Sequence, residues 1–124
     1  MKFAEADLNE GYFITRYDEN ILQINGKDFD QSLIISSQQL KTDWSPHSVE
    51  ELASEHFLPI IQLKPELVLL GTGNKLVFPP VEIYAELIKL GIGVEIMDTG
   101  AACRTYNILS GEGRHVVCGL ILQT

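Results

Sequence analysis

The sequence has few basic residues and no long apolar run, and each shortage excludes a class of protein. The chain of 124 residues has nine lysines and arginines against 17 aspartates and glutamates, which gives a formal net charge of −8 and a pI of about 4.7. This balance excludes a nucleic-acid partner, because phosphate recognition needs a basic surface. No stretch approaches the roughly 18 apolar residues of a membrane-spanning helix, so no transmembrane segment is predicted.

Cysteine is also scarce. Cys103 and Cys118 are too few for a disulfide framework in a chain without a secretory signal. The first residues, MKFAEADLNEG, are acidic and contain no apolar core, unlike a secretory or transit peptide. We therefore expect reduced cysteines and a soluble cytoplasmic protein.

The first third of the chain predicts β-strands. Strands are predicted at residues 12–18, 21–24 and 29–36, and the third is covered on both faces near Leu33–Ile35. Asn25-Gly26 stands between the second and third strands and favours a type I′ hairpin turn. These segments predict an antiparallel meander.

One short helix is predicted after this meander. Ser48, with Glu51 three residues later, forms the pattern of a reciprocal helix cap. The helix is expected over residues 49–56, and Pro59 bounds it.

From residue 66 onward, short apolar runs alternate with helical patterns. Strands are predicted at 66–71, 93–98 and 115–123, and helices at 79–91 and 99–113. Gly91 is expected to end the first of these helices and Thr99 to cap the second. Right-handed crossovers make the three strands parallel neighbours. The predicted fold class is therefore α/β, with a βαβαβ C-terminal part, an antiparallel N-terminal β-meander and one domain over residues 1–124.

The loop Gly71-Thr72-Gly73 ends a buried strand, as many phosphate-binding loops do. No hydroxyl residue follows Lys75, as a Walker A loop requires, and Leu76 replaces a small residue of the dinucleotide fingerprint. The helix also begins too late for its dipole to meet a phosphate here. A strand-to-helix turn is the favoured interpretation, and Asp98, at the end of the next strand, leaves dinucleotide binding open.

The second crossover is the better candidate for a ligand site. Thr99-Gly100-Ala101-Ala102 begins a helix at the carboxyl end of a strand, where open α/β sheets bind ligands and free N–H groups favour anions. Arg104 follows and can neutralise an anion. Alternatively, the small residues allow tight packing and Arg104 pairs with Asp98. The candidate ligand-binding residues are Gly71, Thr72, Gly73, Asp98, Thr99, Gly100 and Arg104.

Cys103 near this helix start is a candidate nucleophile, since a helix N-terminus lowers a thiol pKa. Its histidine partners, His47, His56 and His115, would have to converge from distant segments, and their spacing matches no metal site. A buried Cys103 is the favoured alternative, and Cys118 is expected in the core. We assign no catalytic residue, no metal and no cofactor.

The segment MDTGAACRTYNILSGEGRHVVCGLIL resembles a family of small α/β domains of uncharacterised function, the MTH-type domain. That family includes mitochondrial complex I assembly factor three and an adipogenesis-associated MTH-domain protein. The resemblance rests on Thr99, Ala101-Ala102, Arg104-Thr105-Tyr106-Asn107, Glu112 and the strand at 116–122. The segments LLGTG and SPHSVEEL extend it over nearly the whole chain.

The resemblance implies three layers: a mixed central sheet, helices on one side, and a helix with a small β-sheet on the other. It also implies no established catalysis and no cofactor. A non-enzymatic accessory protein is expected, with complex I subunits or another assembly factor as partner, at the periphery of the inner membrane. We expect the partner to contact the surface around Trp44, Phe57 and Phe78. The alternative is a domain or enzyme that binds an anionic metabolite between Gly71–Gly73 and Thr99–Arg104. Either role is compatible with a homo-oligomer.

Overall fold

The computed structural model describes residues 11–19 and 21–123, which form three layers. The strands are β1 (Ile14–Asp18), β2 (Ile21–Ile24), β3 (Lys27–Phe29), β4 (Leu33–Ile35), β5 (Leu40–Lys41), β6 (Leu67–Gly71), β7 (Gly93–Met97) and β8 (Val116–Leu120). The α-helices are α1 (Leu58–Ile61), α2 (Ala85–Lys89) and α3 (Thr99–Gly111), and 3₁₀ helices lie at Val49–Glu51, Ser54–Phe57 and Val81–Tyr84.

The central layer is a mixed sheet of five strands in the order β5-β4-β8-β6-β7. Strand β6 pairs in parallel with both β7 and β8, which confirms the predicted parallel βαβαβ unit. Strand β4 pairs antiparallel with β5 and β8 and makes the sheet mixed. The predicted three-layer α/β fold is therefore confirmed.

A separate sheet of three strands, β1-β2-β3, forms the antiparallel meander. Its hairpin turn has positive φ at both Asn25 (49°) and Gly26 (83°), the conformation of a type I′ turn. The type I′ hairpin turn predicted at Asn25-Gly26 is therefore confirmed.

The predicted third strand at residues 29–36 is wrong as one element. The chain leaves the small sheet after Phe29 and enters the central sheet at Leu33. Between them, the buried Ser32 hydroxyl accepts a hydrogen bond from the Leu122 N–H (2.9 Å) and contacts the Leu122 carbonyl oxygen (3.4 Å). The split occurs because the fully apolar β4 is buried beside β8, while the more polar β3 stays exposed.

The predicted helix at residues 49–56 is also wrong in detail. Two 3₁₀ helices replace it, and Ser48 makes no side-chain cap bond. Instead, the Ala53 N–H donates to His56 Nδ1 (2.9 Å). Pro59 lies inside the first turn of α1 instead of bounding a helix, since proline's missing N–H has no intrahelical partner there.

Side chains of the central sheet alternate between two cores. Leu33, Ile35, Leu67, Leu69, Val116, Cys118 and Leu120 face α3 and the small sheet, whereas Ile34, Val68, Leu70, Val117 and Ile121 face the layer of short helices. Within residues 11–19 and 21–123, no helix has the length and apolar character needed to cross a membrane.

Candidate functional site

The predicted ligand residues at the end of β6 form a closed corner with the start of α3. The Thr99 hydroxyl accepts a hydrogen bond from the Gly73 N–H (2.8 Å) and donates to the Ile121 carbonyl oxygen (2.8 Å). The Thr99 N–H donates to the Gly73 carbonyl oxygen (2.9 Å). A Cβ atom on Gly71 would lie 2.9 Å from Thr99 Oγ1, so only glycine allows this approach. Thr99 therefore holds β6 and the end of β8 together.

Thr72 is buried in the same corner. Its hydroxyl donates to the Lys75 carbonyl oxygen (2.6 Å) and accepts from the Val77 N–H (3.2 Å), and its own N–H donates to the Met97 carbonyl oxygen (2.9 Å). The corner thus has internal partners for the groups that an anion would use. Ligand binding by Gly71, Thr72 and Gly73 stays a prediction.

The helix cap differs from the one predicted. Asp98, not Thr99, is the N-cap of α3, and its carboxylate accepts from the Ala101 N–H (2.9 Å). The predicted pairing of Arg104 with Asp98 is absent from the ion pairs of the described residues, which join Arg16 to Asp18 and Arg114 to Glu66. Arg104 is exposed to solvent.

A cavity of about 220 Å³ lies between β1 and α3. Its lining consists of Ile14, Thr15, Arg16, Tyr17, Gly100, Cys103, Arg104 and Asn107. Of the seven predicted ligand residues, this lining includes Gly100 and Arg104. Burial raises the pKa of the Tyr17 phenol, and neighbouring acidic groups, Cys103 first, raise it further, so the phenol is neutral at physiological pH. The cavity therefore contains two of the seven predicted ligand residues, and ligand binding by these two stays a prediction as well.

Tyr106 and Asn107 hold the small sheet on α3, a role that the sequence reasoning missed. The Tyr106 hydroxyl donates to the Tyr12 carbonyl oxygen (2.7 Å). The Asn107 amide accepts from the Ile14 N–H (3.0 Å) and donates to the Ile14 carbonyl oxygen (2.6 Å), as a neighbouring strand would. Their spacing of four residues from the buried Ala102 and Cys103 was the available signal, because such residues share a helix face.

Cys103 is buried, as the favoured interpretation predicted. Burial raises the pKa of its thiol to about 12; the nearby Arg104 lowers it and Asp98 raises it, but burial dominates. The thiol is therefore protonated at neutral pH and poorly nucleophilic. In the part of the chain that the structure describes, no three His, Cys, Asp or Glu side chains are grouped to hold a metal.

The opposite layer contains a larger feature, which we call the apolar groove. It has a volume of about 520 Å³ and is lined by Ser54, Glu55, Phe57, Leu58, Ile61, Ile83, Tyr84, Glu86, Leu87 and Leu90. Its two walls are the segments around α1 and α2, and its floor contains the buried Phe57 and Leu87.

Most of the exposed apolar side chains lie in one stretch of the sequence, which includes the second wall of the groove. Of the nine large hydrophobic residues exposed in the described chain, six lie between residues 76 and 90: Leu76, Val77, Phe78, Val81, Ile88 and Leu90. Contiguous exposed apolar patches mark interaction sites, and two of the nine exposed residues, Leu58 and Leu90, line the groove itself.

Of the three aromatic residues around which a binding surface was predicted, two are buried, and one of these two, Phe57, also lines the groove. Phe78 is exposed, but Trp44 and Phe57 belong to the core. The Trp44 indole N–H donates to the His56 carbonyl oxygen (2.9 Å), which satisfies the polar atom of a buried ring. Leu58 and Leu90 were missed, because sequence alone does not show which apolar residues of a short amphipathic helix stay uncovered.

Comparison with known proteins identifies relatives over the length of the described fold. The profile of a family described as "Protein of unknown function (DUF498/DUF598)" matches residues 14–121. A solution structure from Bordetella pertussis, described as a Mth938-like domain, superposes with a TM-score of 0.82 at 25% identity, covering 98% of this chain and 90% of that chain.

Two curated proteins are similar along nearly the whole chain. A "13 kDa major membrane protein" of Francisella tularensis subsp. holarctica is 31% identical over 122 residues, covering 98% of this chain and 99% of that protein. The NADH dehydrogenase (ubiquinone) 1 alpha subcomplex assembly factor 3 of Danio rerio is 30% identical over 122 residues, covering 98% of this chain and 70% of that protein.

Proposed function

This chain belongs to the DUF498/DUF598 family of proteins of unknown function, and from that premise we propose that it is a non-enzymatic accessory protein that assists assembly of a membrane-bound complex. Respiratory complex I is the first candidate, because a relative that matches nearly the whole chain is named as an assembly factor of NADH dehydrogenase. Such a role places the protein in the cytoplasm at the periphery of the inner membrane.

The observation that carries this proposal is the exposed apolar surface around the groove. Leu58 and Leu90, one on each wall, have 55% and 53% of their surfaces exposed. Covering such side chains with a partner removes apolar area from water, at roughly 25 cal/mol for each Å². An assembly factor needs such a protein-binding surface, whereas it needs no activated nucleophile.

Deleting the gene is expected to lower the amount of assembled complex I in a host that makes this complex. The measurement is complex I in native gels of isolated membranes, with NADH oxidation as a second readout. The wild-type gene should restore both, and a Leu58→Ser, Leu90→Ser double variant should not. Ile108→Ser is the matched control, since Ile108 is exposed on α3 and is not part of the groove lining. Normal complex I in the deletion strain would refute the proposed function.

The cavity between β1 and α3 supports a second candidate function, the binding of an anionic metabolite. Arg16 and Arg104 both line this cavity, in a chain whose net charge is −8. In this second candidate function, Arg104 supplies the positive charge that neutralises the anion, and Gly100 allows the anion to approach the backbone at the start of α3. Asp98 and Thr99 lie at the neighbouring corner and are not part of the cavity lining. We include ligand binding by both residues in this second candidate function.

Arg104→Ala is expected to abolish anion binding and to leave the fold intact, because the side chain is exposed. The test is thermal unfolding of both proteins with millimolar phosphate or citrate: wild type should be stabilised, and the variant should melt at the wild-type ligand-free temperature. Arg114→Ala, another exposed arginine outside the cavity lining, should keep the ligand effect. Equal ligand effects in wild type and Arg104→Ala would exclude this pocket.

A further inference from the structure

We propose that the apolar groove binds an amphipathic helix of a partner protein, and that lysine or arginine residues flank the apolar face of that helix. This inference rests on the proposed function and names the kind of partner segment that the accessory protein recognises.

The shape of the groove fits a helix. Its walls are two short helical segments, Ser54–Ile61 and Val81–Lys89, with Leu90 just beyond the second. Buried Phe57 and Leu87 form an apolar floor. Amphipathic helices bind such grooves by inserting side chains spaced three and four residues apart. The groove is therefore suited to a third helix laid between the two walls.

The charges around the groove indicate the sign of the charge that the partner helix carries. Two of the residues that line it are acidic, Glu55 and Glu86, and none of the described lining residues is lysine or arginine. Outside the lining, the second wall also exposes Glu82 and Lys89, whose opposite charges offset each other. The negative charge of the groove therefore comes from Glu55 and Glu86. Complementary charge on the partner speeds association and selects against wrong partners. The partner helix should therefore be basic beside its apolar face.

The same charges disfavour two other occupants. An anionic membrane surface attracts basic segments, whereas here the groove is acidic and the chain has a net charge of −8. A second copy of this chain would bring two acidic rims together, and like charges facing each other across an interface are unfavourable.

The test uses the full chain and two labelled helical peptides of about 18 residues, a length of about 27 Å. Both peptides have leucines at positions i, i+3, i+4 and i+7; lysine fills the other positions of one, and glutamate those of the other. In fluorescence anisotropy, we expect the leucine–lysine peptide to bind at least about tenfold more tightly, with an affinity that falls as salt rises.

Variants locate the binding. Leu58→Ser with Leu90→Ser should weaken binding of the leucine–lysine peptide about tenfold or more, because anchor contacts dominate interface energies. Glu55→Gln with Glu86→Gln should weaken it several-fold and flatten the salt dependence. Two exposed residues outside the groove lining serve as controls, Ile108→Ser and Glu112→Gln, and each should change the affinity less than about twofold.

Several results would overturn the inference. These are equal binding of the two peptides, equal weakening by the control variants, groove-dependent binding to phosphatidylserine vesicles, or dimerisation in sedimentation experiments that Leu58→Ser abolishes. Failure here is distinct from failure of the proposed function. If the peptides fail to bind while the deletion strain has less complex I than wild type, the accessory role holds and this occupant is wrong. If the peptide binds as expected but complex I is normal in the deletion strain, the groove assignment holds and the assembly role is wrong.

Discussion

Replacing Gly119 with alanine is expected to lower the free energy of unfolding by about 3 kcal/mol, a large fraction of the stability of an ordinary domain. A Cβ atom at this position would lie 2.7 Å from Cη2 of the Trp44 ring and 3.1 Å from its Cζ3. One methyl group therefore overlaps an indole ring in the core between the sheet and the short helices.

Neither partner in this clash can move cheaply. Gly119 lies in β8, which pairs with β4 on one side and β6 on the other. Trp44 is buried, and its indole N–H donates to the His56 carbonyl oxygen. Shifting the ring would break that hydrogen bond and leave a buried donor without its partner.

Urea unfolding of wild type and Gly119→Ala measures this effect as a lower midpoint at an unchanged slope. Gly111→Ala is the matched control, because a Cβ atom there meets nothing within 4 Å at the end of α3. That control should be neutral or stabilising by about 0.5 kcal/mol. Trp44→Phe should partly restore Gly119→Ala, since the smaller ring makes room for the methyl group. Wild-type stability of Gly119→Ala would contradict the packing of β8 against Trp44.

Replacing Thr99 with valine is expected to lower the free energy of unfolding by a similar amount, about 3 kcal/mol. Valine keeps the shape of threonine but removes the hydroxyl that joins the Gly73 N–H to the Ile121 carbonyl oxygen. Both hydrogen bonds are buried, so the substitution leaves a donor and an acceptor without partners.

Thermal and urea unfolding measure the loss, and amide exchange at Gly73 should speed up as its N–H loses its acceptor. Thr105→Val is the control, because Thr105 lies in the same helix and is only half-buried. It should change the free energy of unfolding by less than about 0.5 kcal/mol. An unchanged stability of Thr99→Val, together with lost binding of an anion, would instead identify the hydroxyl as a ligand group.

Gly71 and Gly119 show what a local sequence pattern cannot reveal about a glycine. The position of Gly71 at the end of a strand suggested a phosphate-binding loop, yet glycine is required there because a Cβ atom would lie 2.9 Å from Thr99 Oγ1. Gly119, in the middle of an apolar strand, gave no signal. A glycine's neighbour across the core lies far away in sequence, so local pattern cannot reveal which atom needs the space.

Local chemistry by itself determined the elements with a strong local cause. Asn25-Gly26 favoured its turn because both positions need positive φ, and Gly91 ended a helix for the same reason. The apolar runs at β6, β7 and β8, separated by helical patterns, predicted a parallel unit, because a helix between two strands carries the chain back to the edge of the sheet where the first strand began. The net charge of −8 predicts no nucleic-acid partner, because phosphates are bound by basic surfaces.

Only the tertiary structure decided how these elements meet and which polar groups remain free. In the structure β4 belongs to the central sheet and not to the meander, because pairing with β8 buries a wholly apolar segment. It gave the Thr72 and Thr99 hydroxyls internal partners and left Arg104 beside the cavity under α3. It also buried Trp44 and left Leu58 and Leu90 uncovered. The physical reason is that burial and hydrogen-bond partnership depend on contacts between residues distant in sequence, whereas turns, caps and periodicity depend on neighbours.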